Sequence, residues 1–130
     1  MEYTLTEQFN TTPEKLYKLW LTSSGHSQMT GNPAIISSEI GGKFTAWEGY
    51  ISGTNLELVP FTKIKQSWRT TDFPDSQADS LIEITLNEIK PGITQLTLTH
   101  SNLAGADDKQ YIDGWKDYYF KQMKDYFKQL

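Results

Sequence analysis

The side chains best suited to proton transfer or polar ligand recognition in this sequence are its two histidines, His26 and His100. Histidine changes charge near neutral pH, and its neutral ring both donates and accepts hydrogen bonds. His100 alternates with Leu96 and Leu98, which places it on the apolar face of a strand. We expect His100 to contact either a ligand or a neighbouring hydroxyl inside the fold. His26 lies in a polar, serine-rich segment and is predicted to be exposed.

Gln66 lies between Ile64 and Trp68 in a second alternating segment, so these three side chains should point to one interior. A glutamine among apolar neighbours needs a hydrogen-bond partner, and His100, a water molecule and a ligand are the alternatives. We therefore predict that Gln66, Trp68 and His100 form one inward group of polar and aromatic side chains.

The carboxylates show no spacing that supports catalysis. Capping of the final helix explains Asp107 and Asp108, and a solvated loop explains Asp72, Asp75 and Asp79. We therefore expect no catalytic residue.

Metal, phosphate and cofactor sites are also not indicated. The chain has no cysteine, and two histidines with scattered aspartates lack the spacing of a zinc site. The pair Gly41-Gly42 precedes a strand instead of a helix, unlike a phosphate-binding loop. We expect no metal and no cofactor.

Aromatic residues form 13% of the chain, including four tryptophans. These tryptophans, with Tyr50, Tyr118 and Tyr119, could line a pocket, since pockets combine apolar walls with a few polar groups. The alternative is that the rings fill the interior completely. The candidate lining residues are Trp20, Phe44, Trp47, Gln66, Trp68, Leu98, His100, Trp115 and Tyr119.

Length and charge limit the class of protein. The 130 residues fit one domain, predicted to span residues 1–130, and no linker or repeat divides them. The net charge of −4 does not suggest nucleic-acid binding. The apolar runs are too short to cross a membrane, and no secretory signal begins the chain. We expect a cytoplasmic protein without membrane insertion.

Local patterns predict one strand, one or two short helices, six strands and one long helix. Thr12 and Pro13 are typical of a helix start, and Gly31 of a helix end. The turn at 90–92 joins the clearest pair of strands into an antiparallel hairpin. The predicted strands cover residues 2–10, 34–38, 42–48, 50–59, 62–70, 80–89 and 93–101, and the helices 13–22, 23–30 and 108–129.

The final helix shows a helical repeat at Ile112, Trp115, Tyr119 and Met123, which predicts one continuous buried stripe. Gly114 interrupts this helix, and we predict that it permits close approach to a strand. An apolar helix of this kind must pack on the sheet, so the predicted fold is α+β, a curved antiparallel sheet wrapped around the C-terminal helix.

Three aromatic residues of the final helix, Tyr118, Phe120 and Phe127, fall outside the predicted stripe. An exposed apolar patch at these positions would be a site for another protein or for a second copy of the chain.

Four segments together resemble a known superfamily: residues 9–20, the glycine pair in 41–44, the two central strands in 53–68, and Gly114-Trp115 in the final helix. The chain resembles the SRPBCC superfamily, also called START-like or helix-grip. Within it, the resemblance is closest to the family built on the C-terminal domain of the activator of heat-shock protein 90 ATPase. A further N-terminal domain, as in the eukaryotic activator, is not expected here.

The resemblance implies three alternative functions, of which the first is the leading prediction. The first is non-enzymatic binding of a small hydrophobic or amphipathic ligand between the sheet and the C-terminal helix. The second is a protein-interaction module related to activation of a chaperone ATPase. The third is an enzyme of the polyketide-cyclase type that uses His100 or a tyrosine as acid or base. Members of the family often carry a tryptophan followed by a glycine after the first helix, where this chain has Met29-Thr30-Gly31, and this difference alters the mouth of any cavity.

Overall fold

The computed structural model of the protein describes residues 2–103 and 108–128. Among these residues it contains seven strands and two short α-helices that follow the first strand. After the last strand come a third short α-helix, a π-helical segment and a last α-helix. In chain order they are β1 (Tyr3–Phe9), α1 (Pro13–Trp20), α2 (Ser23–Thr30), β2 (Ala34–Ile36), β3 (Lys43–Ala46), β4 (Ile51–Val59), β5 (Lys63–Thr70), β6 (Ser80–Lys90), β7 (Ile93–Ser101), α3 (Asp108–Gly114), the π-helix (Trp115–Phe120) and α4 (Lys121–Lys128).

The strands form one curved antiparallel sheet in the order β1-β7-β6-β5-β4-β3-β2. Register shifts in the β4–β5 and β6–β7 pairs mark irregular points of the kind that bend a sheet. The C-terminal helix, residues 108–128, lies against the concave face, so the predicted helix-grip architecture is confirmed. Within it, α4 packs against α2 and β1.

The ends of the short helices follow the sequence signals. Thr12 caps α1 by accepting a hydrogen bond from the backbone of Lys15, and Pro13 takes the first helical position. Gly31 ends α2 with a φ of 77°, a left-handed conformation that glycine adopts without strain. Gly92 has a φ of 78° in the turn between β6 and β7.

The inward face of the sheet carries the core. Ile64, Ile84, Leu96 and Leu98 are fully buried there, and His100 lies on the same face with 0% exposure. The strand register predicted for His100 is therefore confirmed, because alternation puts every second residue of β7 against the helix.

The C-terminal helix is not one regular α-helix, which corrects the sequence-based prediction. At the end of the π-helical segment, the backbone N–H of Lys121 donates to the carbonyl of Lys116, five residues earlier. The wider turn changes which residues share a face. Trp115, Tyr119 and Phe120 consequently all point inward, with exposures of 3%, 4% and 3%.

The predicted exposed patch at Tyr118, Phe120 and Phe127 is also corrected. Only Tyr118 is exposed, at 58%, whereas Phe120 and Phe127 are buried. Both phenylalanines contact the ring of Phe9, with centroid distances of 6.2 and 5.9 Å. The π-helical segment rotates Phe120 inward, and the contact of α4 with β1 covers Phe127.

Gly114 does not permit a close approach to a strand, contrary to the prediction. A Cβ atom added at Gly114 would meet no atom within 4 Å apart from its own helix and its neighbours. The space beside it belongs to the pocket described below.

Among the described residues, none of the helices combines the length and the apolar character needed to cross a membrane. The same part of the chain holds no group of three or more acidic, histidine or cysteine side chains suited to a metal ion. Of the two predicted capping residues, Asp107 lies outside the described residues, and of Asp108 only the backbone is described.

Candidate functional site

An apolar pocket with a volume of about 330 Å³ lies between the C-terminal helix and strands β4 and β5. Aromatic side chains form most of its wall, and the helix contributes residues from both α3 and the π-helical segment. The lining residues are Trp47, Tyr50, Ile51, Trp68, Gln110, Tyr111, Gly114, Trp115, Tyr118 and Tyr119.

Four of the nine candidate lining residues, Trp47, Trp68, Trp115 and Tyr119, lie in the wall of this pocket. The other five, Trp20, Phe44, Gln66, Leu98 and His100, are buried and lie outside the lining.

The nine candidates did not include Ile51, Gln110 or Tyr111, and the sequence holds a signal only for the tyrosine. Tyr111 begins the buried face of α3, one turn before Trp115, so helical spacing indicates it. Gln110 looks like any exposed helical residue, and Ile51 like any core residue of a strand.

A turn in an unusual conformation brings Trp47 to the pocket. Trp47 and Glu48 have φ values of 55° and 56°, and Gly49 has 87°, so three successive residues are left-handed. Non-glycine residues rarely adopt this conformation, and such strain is concentrated at functional sites. It sets the Trp47 ring 5.7 Å from the ring of Tyr118 and 6.1 Å from that of Tyr119.

One carboxylate, that of the exposed residue Asp72, is not part of the lining but is hydrogen-bonded to two lining residues, and we call this position the rim of the pocket. The hydroxyl of Tyr50 donates to Asp72 Oδ2 at 2.6 Å, and the side-chain amide of Gln110 donates to the same oxygen at 3.4 Å. Burial and the nearby carboxylate together raise the pKa of Tyr50 to about 12, so its hydroxyl keeps the proton it donates.

His100 lies at the centre of a directional hydrogen-bond chain. Trp115 Nε1–H donates to its Nδ1 at 3.3 Å, so Nδ1 is an acceptor and the Tyr3 hydroxyl, at 2.7 Å, donates there too. Nε2–H then donates to Ser80 Oγ, and Ser80 donates to the carbonyl of Trp68. Burial lowers the pKa of His100 to about 3, which keeps the ring neutral.

His26 is buried at 2% exposure, which corrects the prediction that it is exposed. Its Nδ1–H donates to the carbonyl of Trp20 at 2.9 Å, and Nε2 accepts from the hydroxyl of Tyr119 at 2.9 Å. The polar sequence around His26 belongs to α2, and His26 lies on the buried face of this helix together with Met29 and Thr30. Burial lowers the pKa of His26 to about 4, against the opposing effect of the Trp20 carbonyl.

Gln66 and His100 do not pair, although both point inward as predicted. Gln66 Nε2 donates to Asn55 Oδ1 at 2.8 Å, and Trp20 Nε1 lies 3.4 Å from Gln66 Oε1. Trp68, by contrast, contacts His100 with a centroid distance of 4.7 Å. The partners of Gln66 therefore come from the neighbouring strand β4 and from α1, and a single alternating segment does not reveal either of them.

Asn55 in turn holds the loop of residues 37–42 in place. Its side-chain amide donates to the carbonyls of Ser37, at 2.7 Å, and Glu39, at 3.0 Å. Two further backbone bonds join Asn55 to Gly41 and Gly42. The loop presents Ile40 to solvent at 66% exposure.

The curved sheet, the gripped helix and the aromatic pocket define a START-like, helix-grip protein. A family model described as "Activator of Hsp90 ATPase homolog 1-like protein" matches residues 10–128. The chain therefore belongs to this family.

Similar proteins include two activators of 90 kDa heat shock protein ATPase. The human homolog 1 is 34% identical over 125 residues, which cover 95% of this chain and 36% of that protein. The Dictyostelium discoideum homolog is 26% identical over 86% of this chain and 29% of that protein. The chain thus spans about a third of the length of these relatives.

Solved structures share the fold at lower identity. An HSP90 activator from Plasmodium falciparum superimposes with a TM-score of 0.85 at 23% identity, over 95% of this chain and 93% of that one. The Aha1 dimer from Colwellia psychrerythraea gives a TM-score of 0.80 at 18% identity, over 98% and 96% of the two chains.

Proposed function

We propose that this chain is a protein-interaction module that binds an Hsp90-class chaperone. The observation that carries the proposal is the 34% identity to the human activator along 95% of the chain. Because the chain spans 36% of that relative, we propose chaperone binding for this module and not the whole relative's activity. The cytoplasmic location predicted from the sequence is part of the same proposal.

Three exposed aliphatic side chains support a docking surface near the β2 edge of the sheet. Ile35 on β2 is 73% exposed, Ile40 66% and Leu56 on β4 43%. We call these three residues the Ile40 surface. Single exposed apolar residues are common, but here Asn55 holds the loop of Ile40 in a fixed shape through its two carbonyl contacts. A fixed loop binds with a smaller loss of conformational entropy than a flexible one.

The test is a binding titration between the protein and the Hsp90 of its source organism by isothermal titration calorimetry. Ile40→Asp should weaken binding at least about tenfold, because it places a charge in an apolar contact. Ile89→Asp is the matched control, since Ile89 is 39% exposed on the β6–β7 hairpin and should leave binding unchanged. Absence of binding by the unchanged protein would refute the proposal. An equal loss in both variants would refute the Ile40 surface.

A second candidate function is binding of a small apolar or amphipathic ligand, and the aromatic pocket of about 330 Å³ favours it. Gly114→Leu should fill the pocket from the open side of the helix and abolish quenching of tryptophan emission by an apolar probe such as N-phenyl-1-naphthylamine. His100→Leu should leave probe affinity unchanged, since His100 does not line the pocket.

The third alternative, an enzyme that uses His100 as a catalytic acid or base, gains no support from the burial of His100 away from the pocket.

The extent of the domain, residues 1–130, and a homodimer stay predictions. A relative from Colwellia psychrerythraea that shares the fold is described as a dimer. Sedimentation equilibrium of the protein over a range of concentrations will distinguish monomer from dimer.

A further inference from the structure

The wall of the pocket is unusually rich in electron-rich rings. Seven of its ten lining residues are tryptophan or tyrosine, and none is lysine, arginine or histidine. The rings contact one another, for example Trp115 with Tyr119 at 4.8 Å and Trp68 with Trp115 at 5.6 Å between centroids. The faces of such rings carry negative potential and attract cations within about 6 Å.

The rim adds a formal negative charge without a cation to balance it. Asp72 accepts from Tyr50 and Gln110, which both line the pocket, and both bonds use Oδ2. Asp72 forms no ion pair within the described part of the chain. The lysine nearest in sequence to Gln110 is Lys109, which already pairs with Asp113 at 2.8 Å.

We propose that this pocket binds a small organic cation, whose substituted ammonium group lies against the aromatic faces near Asp72 while its apolar part fills the remaining space. The inference rests on the second candidate function, ligand binding in this pocket.

The volume and the apolar wall of the pocket indicate which kind of cation it can bind. An alkylated ammonium group fits an apolar wall better than a bare ammonium, because it loses fewer hydrogen bonds to water when it is buried. A volume of about 330 Å³ is at the small end of ligand pockets and suits a free molecule with an apolar body. It is larger than one side-chain head group needs, which favours a free molecule over a modified lysine of another protein.

The rim also explains which ligands should be rejected. An anion would meet the Asp72 carboxylate and ring faces of the same sign, and no lining side chain carries a positive charge. A neutral ligand of the same shape would fill the pocket but gain nothing from these charges. Preference for the cation over its neutral isostere is therefore the specific consequence of the proposal.

The experiment compares acetylcholine with 3,3-dimethylbutyl acetate, in which carbon replaces the charged nitrogen. Both are titrated against the protein, and binding is followed by the indole N–H signals of the tryptophans in NMR spectra. Acetylcholine should bind at least about fivefold more tightly than the neutral ester. The signals of Trp47, Trp68 and Trp115 should shift more than that of Trp20, which lies outside the lining.

Three variants test which side chains cause the preference for acetylcholine over the neutral ester. Trp47→Leu keeps an apolar side chain at the rim but removes the ring, and should reduce acetylcholine affinity at least about threefold with less effect on the neutral ester. Asp72→Asn should likewise reduce the affinity for acetylcholine and leave the affinity for the neutral ester unchanged. Asp75→Asn changes the net charge equally at another exposed position of the same loop, one that forms no hydrogen bond to the pocket wall within the described residues, and should leave both affinities unchanged.

The outcomes separate this inference from the ligand-binding function on which it rests. Equal or tighter binding of the neutral ester would overturn the cation preference and leave the pocket as an apolar ligand site. Absence of binding by either ligand up to about 10 mM would overturn both proposals. Tighter binding of a peptide carrying trimethyllysine than of acetylcholine would overturn the assignment to a free small molecule.

Discussion

His26 and Tyr119 lie 93 residues apart in the chain and are joined by a buried hydrogen bond of 2.9 Å between His26 Nε2 and the tyrosine hydroxyl. The carbonyl of Trp20 can only accept, so it determines which ring nitrogen of His26 carries the proton. Tyr119 therefore donates to His26, and burial raises the pKa of Tyr119 above its usual range. This contact joins α2 to the π-helical segment that forms one side of the pocket.

Removing either partner of this bond should destabilise the fold. His26→Leu leaves both the Trp20 carbonyl and the Tyr119 hydroxyl without this partner and should cost about 2–4 kcal/mol. Tyr119→Phe should cost about 1–2 kcal/mol. Urea denaturation of both single variants and the double variant at pH 7 measures the coupling. The double variant should lose about 1 kcal/mol less than the sum, and strict additivity would show that the bond contributes no energy.

The two histidines should make stability depend on pH below neutrality. Their pKa values in the folded protein are about 4 for His26 and about 3 for His100, against a usual 6.5. The unfolded chain therefore binds more protons in this range, so stability is complete above about pH 6.5 and falls as the pH decreases towards 4. Each histidine should contribute up to about 1.4 kcal/mol per pH unit.

Denaturation curves recorded from pH 7.5 to 4.5 measure this dependence. Carboxylates also titrate near the lower end, so the variant His100→Gln provides the comparison. It should show a smaller loss of stability between pH 6.5 and 5 than the unchanged protein. Identical slopes would mean that His100 is not held neutral by the fold.

Gly114→Ala should stabilise the protein by about 0.5–1 kcal/mol, the reverse of the sequence-based expectation. Alanine favours the helix, and its methyl group would meet no atom within 4 Å outside its own helix and neighbours. The melting temperature should therefore rise. Gly31→Ala is the control and should lower it, because Gly31 has a φ of 77°. A decrease for both variants would restore the close-approach explanation for Gly114.

Trp115→Ala should cost about 3–5 kcal/mol, as large-to-small aromatic core substitutions do. The ring is 3% exposed and contacts Trp68 and Tyr119, and its N–H donates to His100. Trp115→Phe keeps most of the ring contacts but removes the donor and should cost less. Chemical denaturation gives both values, and a loss below about 1 kcal/mol in the alanine variant would show that the helix is not held at this point.

Sequence patterns predicted the sheet well because the relevant signals are local. The alternation in Leu96, Leu98 and His100 gave the correct face of β7, and Thr12 with Pro13 gave the correct start of α1. Such features depend on neighbours within a few residues, which a single sequence displays directly.

The candidate site was predicted less completely because hydrogen-bond partners come from distant segments. An inward Gln66 needs a partner, as the sequence predicts, but its partners are Asn55 on the adjacent strand and Trp20 in α1. A regular helical period predicts Phe120 outside the buried stripe, whereas the π-helical turn brings it inward. The periodicity of apolar residues does not show a local helical distortion of this type.

The amino-acid sequence alone specified the order of the strands and helices, the inward position of His100 and the resemblance to the helix-grip superfamily. Only the tertiary structure decided that His26 is buried, that Gly114 borders open space, and that seven aromatic rings surround a pocket with Asp72 at its rim. The reason is physical. Periodicity records which face of an element is apolar, whereas an open space or a buried polar contact depends on how separate elements meet in three dimensions.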